Sequence, residues 1–137
     1  MDFSTNLSGS ALPCGAAMTS NKYIVLYADA YPVGTPNGVC DALDSSLTTY
    51  TITRGATLAP YTGVAGTGLC VGNGSSCQYY AVNRLDVSFT RPNPEAKICV
   101  NGSSSSCYTY AEVSIIGTDG STRTIAVREN GQVSVKP

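Results

Sequence analysis

The last quarter of this 137-residue chain limits the rest most tightly. From Glu112 to Val135 it reads Glu-Val-Ser-Ile-Ile-Gly-Thr-Asp-Gly-Ser-Thr-Arg-Thr-Ile-Ala-Val-Arg-Glu-Asn-Gly-Gln-Val-Ser-Val. Val113 and Ile115 alternate with Glu112, Ser114 and Ile116. Ile125 and Val127 alternate with Thr124, Ala126 and Arg128, and Val133 and Val135 flank Ser134. A period of two places one apolar row on the inner face of each strand. Between the runs stand Thr118-Asp119-Gly120 and Asn130-Gly131. Asn-Gly is a strong short hairpin signal, because both residues tolerate positive φ. The stretch therefore predicts a three-stranded meander. Such a meander buries one face, so the preceding chain has to supply the layer that covers it.

A chain of this length predicts one domain that buries roughly two thirds of the surface of its unfolded state. Charged residues make up 12% of it, against about 25% in an average domain. Nine Tyr and many Val, Ile and Leu still provide a packable core. The net charge is −1 and the pI about 5.1, with no run of Lys or Arg. That balance argues against nucleic acid or an anionic membrane as a partner. No window reaches ~18 consecutive apolar residues, and no basic n-region precedes an apolar h-region. The sequence predicts neither a spanning segment nor a targeting peptide within these residues.

Six cysteines and no histidine point to disulfides and an oxidising compartment. Cys70 and Cys77 enclose Val-Gly-Asn-Gly-Ser-Ser, and Cys99 and Cys107 enclose Val-Asn-Gly-Ser-Ser-Ser-Ser. Both read as one device, a polar Asn-Gly-Ser loop between two cysteines, followed by tyrosines. Loops this polar do not fix themselves by packing. Closing about eight residues removes about 2–2.5 kcal/mol of unfolded-state entropy in the chain-entropy model. Six cysteines leave many connectivities open; local pairing is expected because short loops close most cheaply. Cys14 is then left for Cys40. The competing reading is a zinc site, which needs cysteines or histidines in close pairs with two to four intervening residues, and neither Cys loop fits.

In chain order, residues 1–12 carry no period, mix Ser and Gly, and run into Pro13, so they predict a flexible lead-in. Residues 13–137 are expected to form a single β-rich domain. Lys22–Asp29 is a β-branched and aromatic strand, and Tyr31–Gly38 a long turn. Asp41–Leu47 is the only stretch to consider as helical, for one or two turns at most. Leu47–Arg54 reads as a strand, and Gly55–Gly68 as a surface loop around a short strand at Ala59–Tyr61. Gln78–Val82 leaves the first Cys loop as a strand. Leu85, Val87 and Phe89 alternate inward along Leu85–Thr90. Arg91–Ala96 is a turn whose two prolines remove ladder donors. Ala96–Val100 and Tyr108–Ile116 flank the second Cys loop. About eight or nine short strands with turns every ~8–12 residues predict a mainly β, antiparallel two-sheet sandwich.

Catalytic machinery is not apparent. Without histidine there is no Ser-His-Asp or Cys-His arrangement and no imidazole ligand. Lys22, Lys97 and Lys136 show no spacing that suggests a Ser-Lys dyad. Asp41/Asp44 and Asp86/Glu95 can be drawn as carboxylate pairs of a glycosidase, but solvated loop acids account for them more simply. Asp119 reads as an Asx-turn residue. No Asp-x-Asp-x-Asp run offers a calcium loop, so no metal, cofactor or catalytic residue is expected. Asn6, Asn73 and Asn101 begin Asn-x-Ser sequons, which read as ordinary turn residues in a bacterial protein. Tyr79-Tyr80 and Tyr108/Tyr110 form either a sugar-stacking face or cross-strand packing, and packing is the simpler expectation.

The run Thr122–Val135 resembles the carboxy-terminal hairpin of GspH/FimT-type pseudopilins and minor pilins, in which a Gly-containing turn leads to a short closing strand. Leu85–Ala96 resembles the strand and Pro-containing turn before it. Leu12-Pro-Cys-Gly15 with Tyr23–Asp29 is similar to prepilin-type proteins in which such a segment follows the long amino-terminal helix. The likeness covers residues 12–136 through short motifs. Two departures matter. The family's processed leader and apolar helix are absent from these residues, so the resemblance implies a globular head without its helix, residues 1–12 being a remnant of the junction. The basic Gly-Arg-x-Arg tail of DNA-binding members is here Gly131-Gln-Val-Ser134.

The resemblance implies a structural subunit, a pilin or pseudopilin of a type IV pilus or type II secretion-like filament. Its head would be displayed outside the cell, and its partners would be other subunits met through the helix. Neither DNA binding nor enzymatic activity is expected, and the isolated head is expected to be monomeric. The alternative is a secreted or cell-surface adhesive module that binds glycans through its Cys loops and tyrosines.

Overall fold

The computed structural model describes residues 2–4, 23–28, 37–40, 45–59, 68–82, 84–89 and 95–136. Within them lie twelve strands: β1 Asp2–Ser4, β2 Tyr23–Ala28, β3 Ser45–Thr51, β4 Thr57–Leu58, β5 Leu69–Gly72 and β6 Tyr79–Val82, then β7 Arg84–Phe89, β8 Ala96–Val100, β9 Ser103–Tyr108, β10 Tyr110–Ile116, β11 Thr122–Arg128 and β12 Val133–Lys136. All pairings are antiparallel. One sheet runs β3-β2-β1-β7-β8-β9 and the other β12-β11-β10-β5-β6. The second sheet is built on β10. Its whole length pairs with β11, while its other edge is shared by β5, opposite Tyr110–Val113, and β4, opposite Ile115–Ile116.

The meander read from the sequence is β10-β11-β12. Gly117 donates to the Ser121 carbonyl at 2.8 Å. The Asp119 carboxylate accepts from the Ser121 amide at 2.9 Å, which is the expected Asx turn. Gly131, at φ 83, closes the next turn, and the Asn130 side chain accepts from the Gln132 amide.

Between the sheets the inward rows meet. Leu85, Val87, Ile98 and Val100 come from one sheet, and Leu58, Leu69, Val71, Ala111, Val113 and Val127 from the other. Each of these side chains except Ala111 contributes about 1.5–3 kcal/mol when fully buried. The two-sheet β sandwich is therefore the observed fold, and its details depart from the expectations in several places.

Val133 and Val135 do not join the core; they are 58% and 67% exposed. β12 is an edge strand, and the burial of its inward row stops one strand earlier, at Val127. Phe89, at the end of β7, is half exposed. Asp2–Ser4 is no lead-in but a strand between β2 and β7. Three residues are too few to show a period, and backbone pairing does not require one. Ser45–Leu47 belong to β3 rather than to a helical turn, while residues 41–44 lie outside the described residues. In the expected surface loop, Leu58 and Ala59 are wholly buried and Thr57–Leu58 form a short strand; of the strand expected at Ala59–Tyr61, residues 60 and 61 lie outside the described residues.

A strap crosses the outer face of the first sheet. Alternation puts Arg84, Asp86 and Lys97 on the face away from the core. Over them lies Asn37–Cys40, held by Arg84 Nη2 donating to the Cys40 carbonyl at 2.6 Å and Lys97 Nζ to the Asn37 carbonyl at 2.6 Å. Gly38, at φ 83, is required there, since a Cβ would run into the Lys97 stem. Within the strap, Val39 and Cys40 are buried.

Candidate functional site

The two Cys loops share a composition, yet they fold into different sheets. Cys70–Cys77 joins the β5–β6 hairpin of the second sheet, with Cα atoms 5.7 Å apart. Its tip, Asn73–Ser76, is exposed. Cys99–Cys107 bridges β8 and β9 of the first sheet, with Cα atoms 4.1 Å apart. What read as a polar loop is here mostly strand. Asn101 and Gly102, at φ 54 and 72, make the tight turn, and the register shifts between Cys99 and Val100, so Ser104–Ser106 bulge out before Cys107 meets Cys99. Cys40 is buried and not a free thiol. Its expected partner, Cys14, lies outside the described residues.

Thr109 is the corner at which the chain leaves the first sheet for the second. Its amide donates to the Gly72 carbonyl at 3.2 Å, and its hydroxyl accepts from the Gly74 amide at 2.8 Å. Its carbonyl accepts from the Glu129 amide at 2.9 Å, and the Glu129 carbonyl accepts from the Ala96 amide at 2.6 Å. One chain of backbone bonds thus stitches the first Cys hairpin, β10, the end of β11 and the start of β8. The tyrosines that follow each Cys loop meet here as well. The rings of Tyr79 and Tyr108 are 5.2 Å apart and tilted by 48°.

Two open clefts flank this stitch. One, of about 430 Å³, is lined by Glu95, Lys97, Cys107, Tyr108, Thr109 and Glu129 among others. The other, of about 520 Å³, lies between the Asn73-Gly74 tip and Arg128–Asn130. Thr109 and Glu129 border both. The walls carry carboxylates, cations, side-chain amides and one aromatic ring, a set suited to a polar, hydroxyl-rich ligand.

A separate cluster stands on the outer face of the second sheet around Glu112. Its Oε1 accepts from the Tyr110 hydroxyl and from Lys136 Nζ, both at 2.6 Å. The Arg128 guanidinium lies over the Tyr110 ring, 5.4 Å from its centroid. Burial first, and then the Glu112 carboxylate, push the Tyr110 phenol upward. The hydrogen bond to Glu112 raises the Lys136 ammonium. The sequence marked Glu112 only as an outward strand position. Its one local signal is Tyr110 two residues earlier on the same face; Lys136 arrives only through the register of three strands.

The other sequence candidates are dispersed. Asp86 is wholly buried in an ion pair with Arg84, whereas Glu95 is exposed in the first cleft, so they make no paired acid and base. Asp41, Asp44 and Asn6 lie outside the described residues. Asn73 and Asn101 are exposed turn residues, as read. The tyrosines divide: Tyr110 is core-like, Tyr79 is 52% exposed, and Tyr80 and Tyr108 are half-buried. Among the described residues no helix is long and apolar enough to cross a membrane. Compared with protein-family models, curated proteins and solved structures, the chain has no match.

Proposed function

We propose that this domain is the displayed head of a filament subunit, a pilin or pseudopilin of a type IV pilus or type II secretion-like fibre. The observation that carries the reading is the end of the sandwich at Thr109. There, the exposed tip of one disulfide-stapled hairpin, Asn73–Ser76, is stitched through Thr109 and Glu129 to the base of the other, at Ala96 and Tyr108. Such a build holds an exposed surface in one conformation, which suits a domain displayed outside the cell. The disulfides fit an oxidising environment, and the short motifs within residues 12–136 point the same way. Assembly then runs through an apolar helix encoded ahead of these residues, and the isolated head is a monomer. The upstream reading frame is the test. A Gly-Phe-type processing site followed by ~20 apolar residues, with filaments labelled by antibody to this domain, supports the proposal. An ordinary signal peptide overturns it.

The paired clefts favour a second reading, a surface module that binds glycans. Tyr108 would stack a sugar ring while Glu129 and Asn130 take its hydroxyls. A glycan array followed by Tyr108→Ala tests this; loss of a specific hit supports adhesion, and an array without hits removes it.

A further inference from the structure

We infer that the second cleft, between the Asn73-Gly74 tip and Arg128–Asn130, is a subsite for a carboxylated sugar, a uronic or sialic acid residue of a glycan. This ligand class presupposes the glycan-binding reading and narrows it. The cleft, of about 520 Å³, lies within the size range of ligand sites. Its wall combines a guanidinium held in place without an acid partner and neighbouring groups already set to donate.

Arg128 supplies the positive charge. It stands opposite Tyr110 across β11 and β10, with its guanidinium over the Tyr110 ring, 5.4 Å from the centroid. That ring is buried, and its hydroxyl is fixed on Glu112 Oε1 at 2.6 Å, so the support under the guanidinium is firm. The ring attracts the cation through its quadrupole and offers no oxygen to the N–H fork. Ion pairs among the described residues join Arg84 to Asp86 and Lys136 to Glu112, and neither uses Arg128. A planar fork of this kind matches a carboxylate through two parallel hydrogen bonds.

Two neighbours are oriented as donors as well. The Asn130 side-chain oxygen accepts from the Gln132 amide at 3.0 Å, which leaves its NH₂ group to donate. The Thr109 hydroxyl accepts from the Gly74 amide at 2.8 Å, so its own proton is left for a ligand oxygen. A sugar acid presents a carboxylate and hydroxyl oxygens together on one ring. Glu129 is the single acid among the described residues of this wall, and it can accept from a sugar hydroxyl. It also limits the charge that fits. A phosphate, with nearly two negative charges, would set one of them against Glu129, whereas a carboxylate brings one charge to Arg128. Thr109 and Glu129 border the first cleft too, so the next sugar of the same glycan falls beside Tyr108. No local pattern marks the subsite, because Asn73, Thr109 and Arg128 come from three distant parts of the chain.

The test starts from an array of neutral glycans with their sialylated, uronic-acid and sulfated forms. It continues with NMR titration of the whole chain with sialyllactose and digalacturonate, each as the free acid and as the methyl ester. Carboxylated glycans should bind, and esterification, which removes the charge and keeps the sugar, should weaken binding about 10- to 100-fold. Arg128→Gln should weaken it to a similar extent, and Arg128→Lys, with the charge but not the fork, should recover only part. The ester comparison needs no variant, so it decides the matter even where Arg128→Gln folds poorly. Neutral or sulfated glycans that bind as well as carboxylated ones, equal affinity of acid and ester, or a folded Arg128→Gln chain of unchanged affinity overturns the subsite and leaves the glycan reading standing. An array without hits overturns both and leaves the filament reading untouched.

Discussion

Arg84 and Asp86 stand two residues apart on β7, and the guanidinium Nε lies 3.1 Å from a carboxylate oxygen although Asp86 is wholly buried. Arg84 Nη2 reaches the other oxygen at 3.2 Å and the Cys40 carbonyl at 2.6 Å. The pair therefore anchors the Asn37–Cys40 strap to the outer face of the first sheet. Removing one partner of a buried pair strands the other's charge, at a cost of about 3–5 kcal/mol. Asp86→Ala should lose that much in urea unfolding. Arg84→Met/Asp86→Leu, with no charge left behind, should cost far less. Equal losses in the two variants would show that the charges are not coupled.

Core and edge valines should behave differently although the sequence pattern treats them alike. Val113 is buried at the centre of β10, and Val113→Ala should destabilise by about 1–3 kcal/mol. Val135→Ser, on an exposed edge strand, should stay within about 0.5 kcal/mol. Thermal and denaturant melts of the two variants decide the matter. A large loss at Val135 would mean that β12 is covered in solution.

Alkaline stability should report on Glu112. The Tyr110 phenol and the Lys136 ammonium both have folded-state pKa values raised above their unfolded ones, which lie near ~10 and ~10.4. The folded state then holds its protons longer than the unfolded state does. The stabilisation is complete below those unfolded values and disappears as pH rises through the folded ones. Urea midpoints should fall above about pH 10, and less steeply in Glu112→Gln. Superimposable alkaline profiles for wild type and variant would separate Glu112 from both groups.

DNA should not bind. Arg123 pairs with Ile115 and Arg128 with Tyr110, so the two arginines of β11 face opposite ways, and Arg128 is engaged with an aromatic ring. Long DNA needs several phosphate contacts on one face. Fluorescence anisotropy at about 0.15 M salt, where screening extends ~8 Å, should show no measurable affinity. Micromolar binding there would replace the filament reading with a role in DNA uptake.

What the sequence determined by itself was whatever a few neighbouring residues decide. β10, β11 and β12 were legible because alternation and Asn130-Gly131 act within one hairpin. The disulfides Cys70–Cys77 and Cys99–Cys107 were legible because short loops close most readily, and the Asx turn at Asp119 because its partner is two residues away. Tertiary structure decided everything that depends on which strands lie side by side. The inward row of β12 stayed in water because burial ends at β11, and alternation carries no information about where the facing layer stops. Asp2–Ser4 became a strand because β2 and β7 present free backbone edges to it. Lys136 and Cys70 reached Glu112 because four strands, β5, β10, β11 and β12, came into register at that point, and Tyr79 met Tyr108 because Thr109 carries the chain from one sheet to the other. These pairings join residues far apart in the chain through long-range backbone bonds, and no local pattern of side chains encodes them.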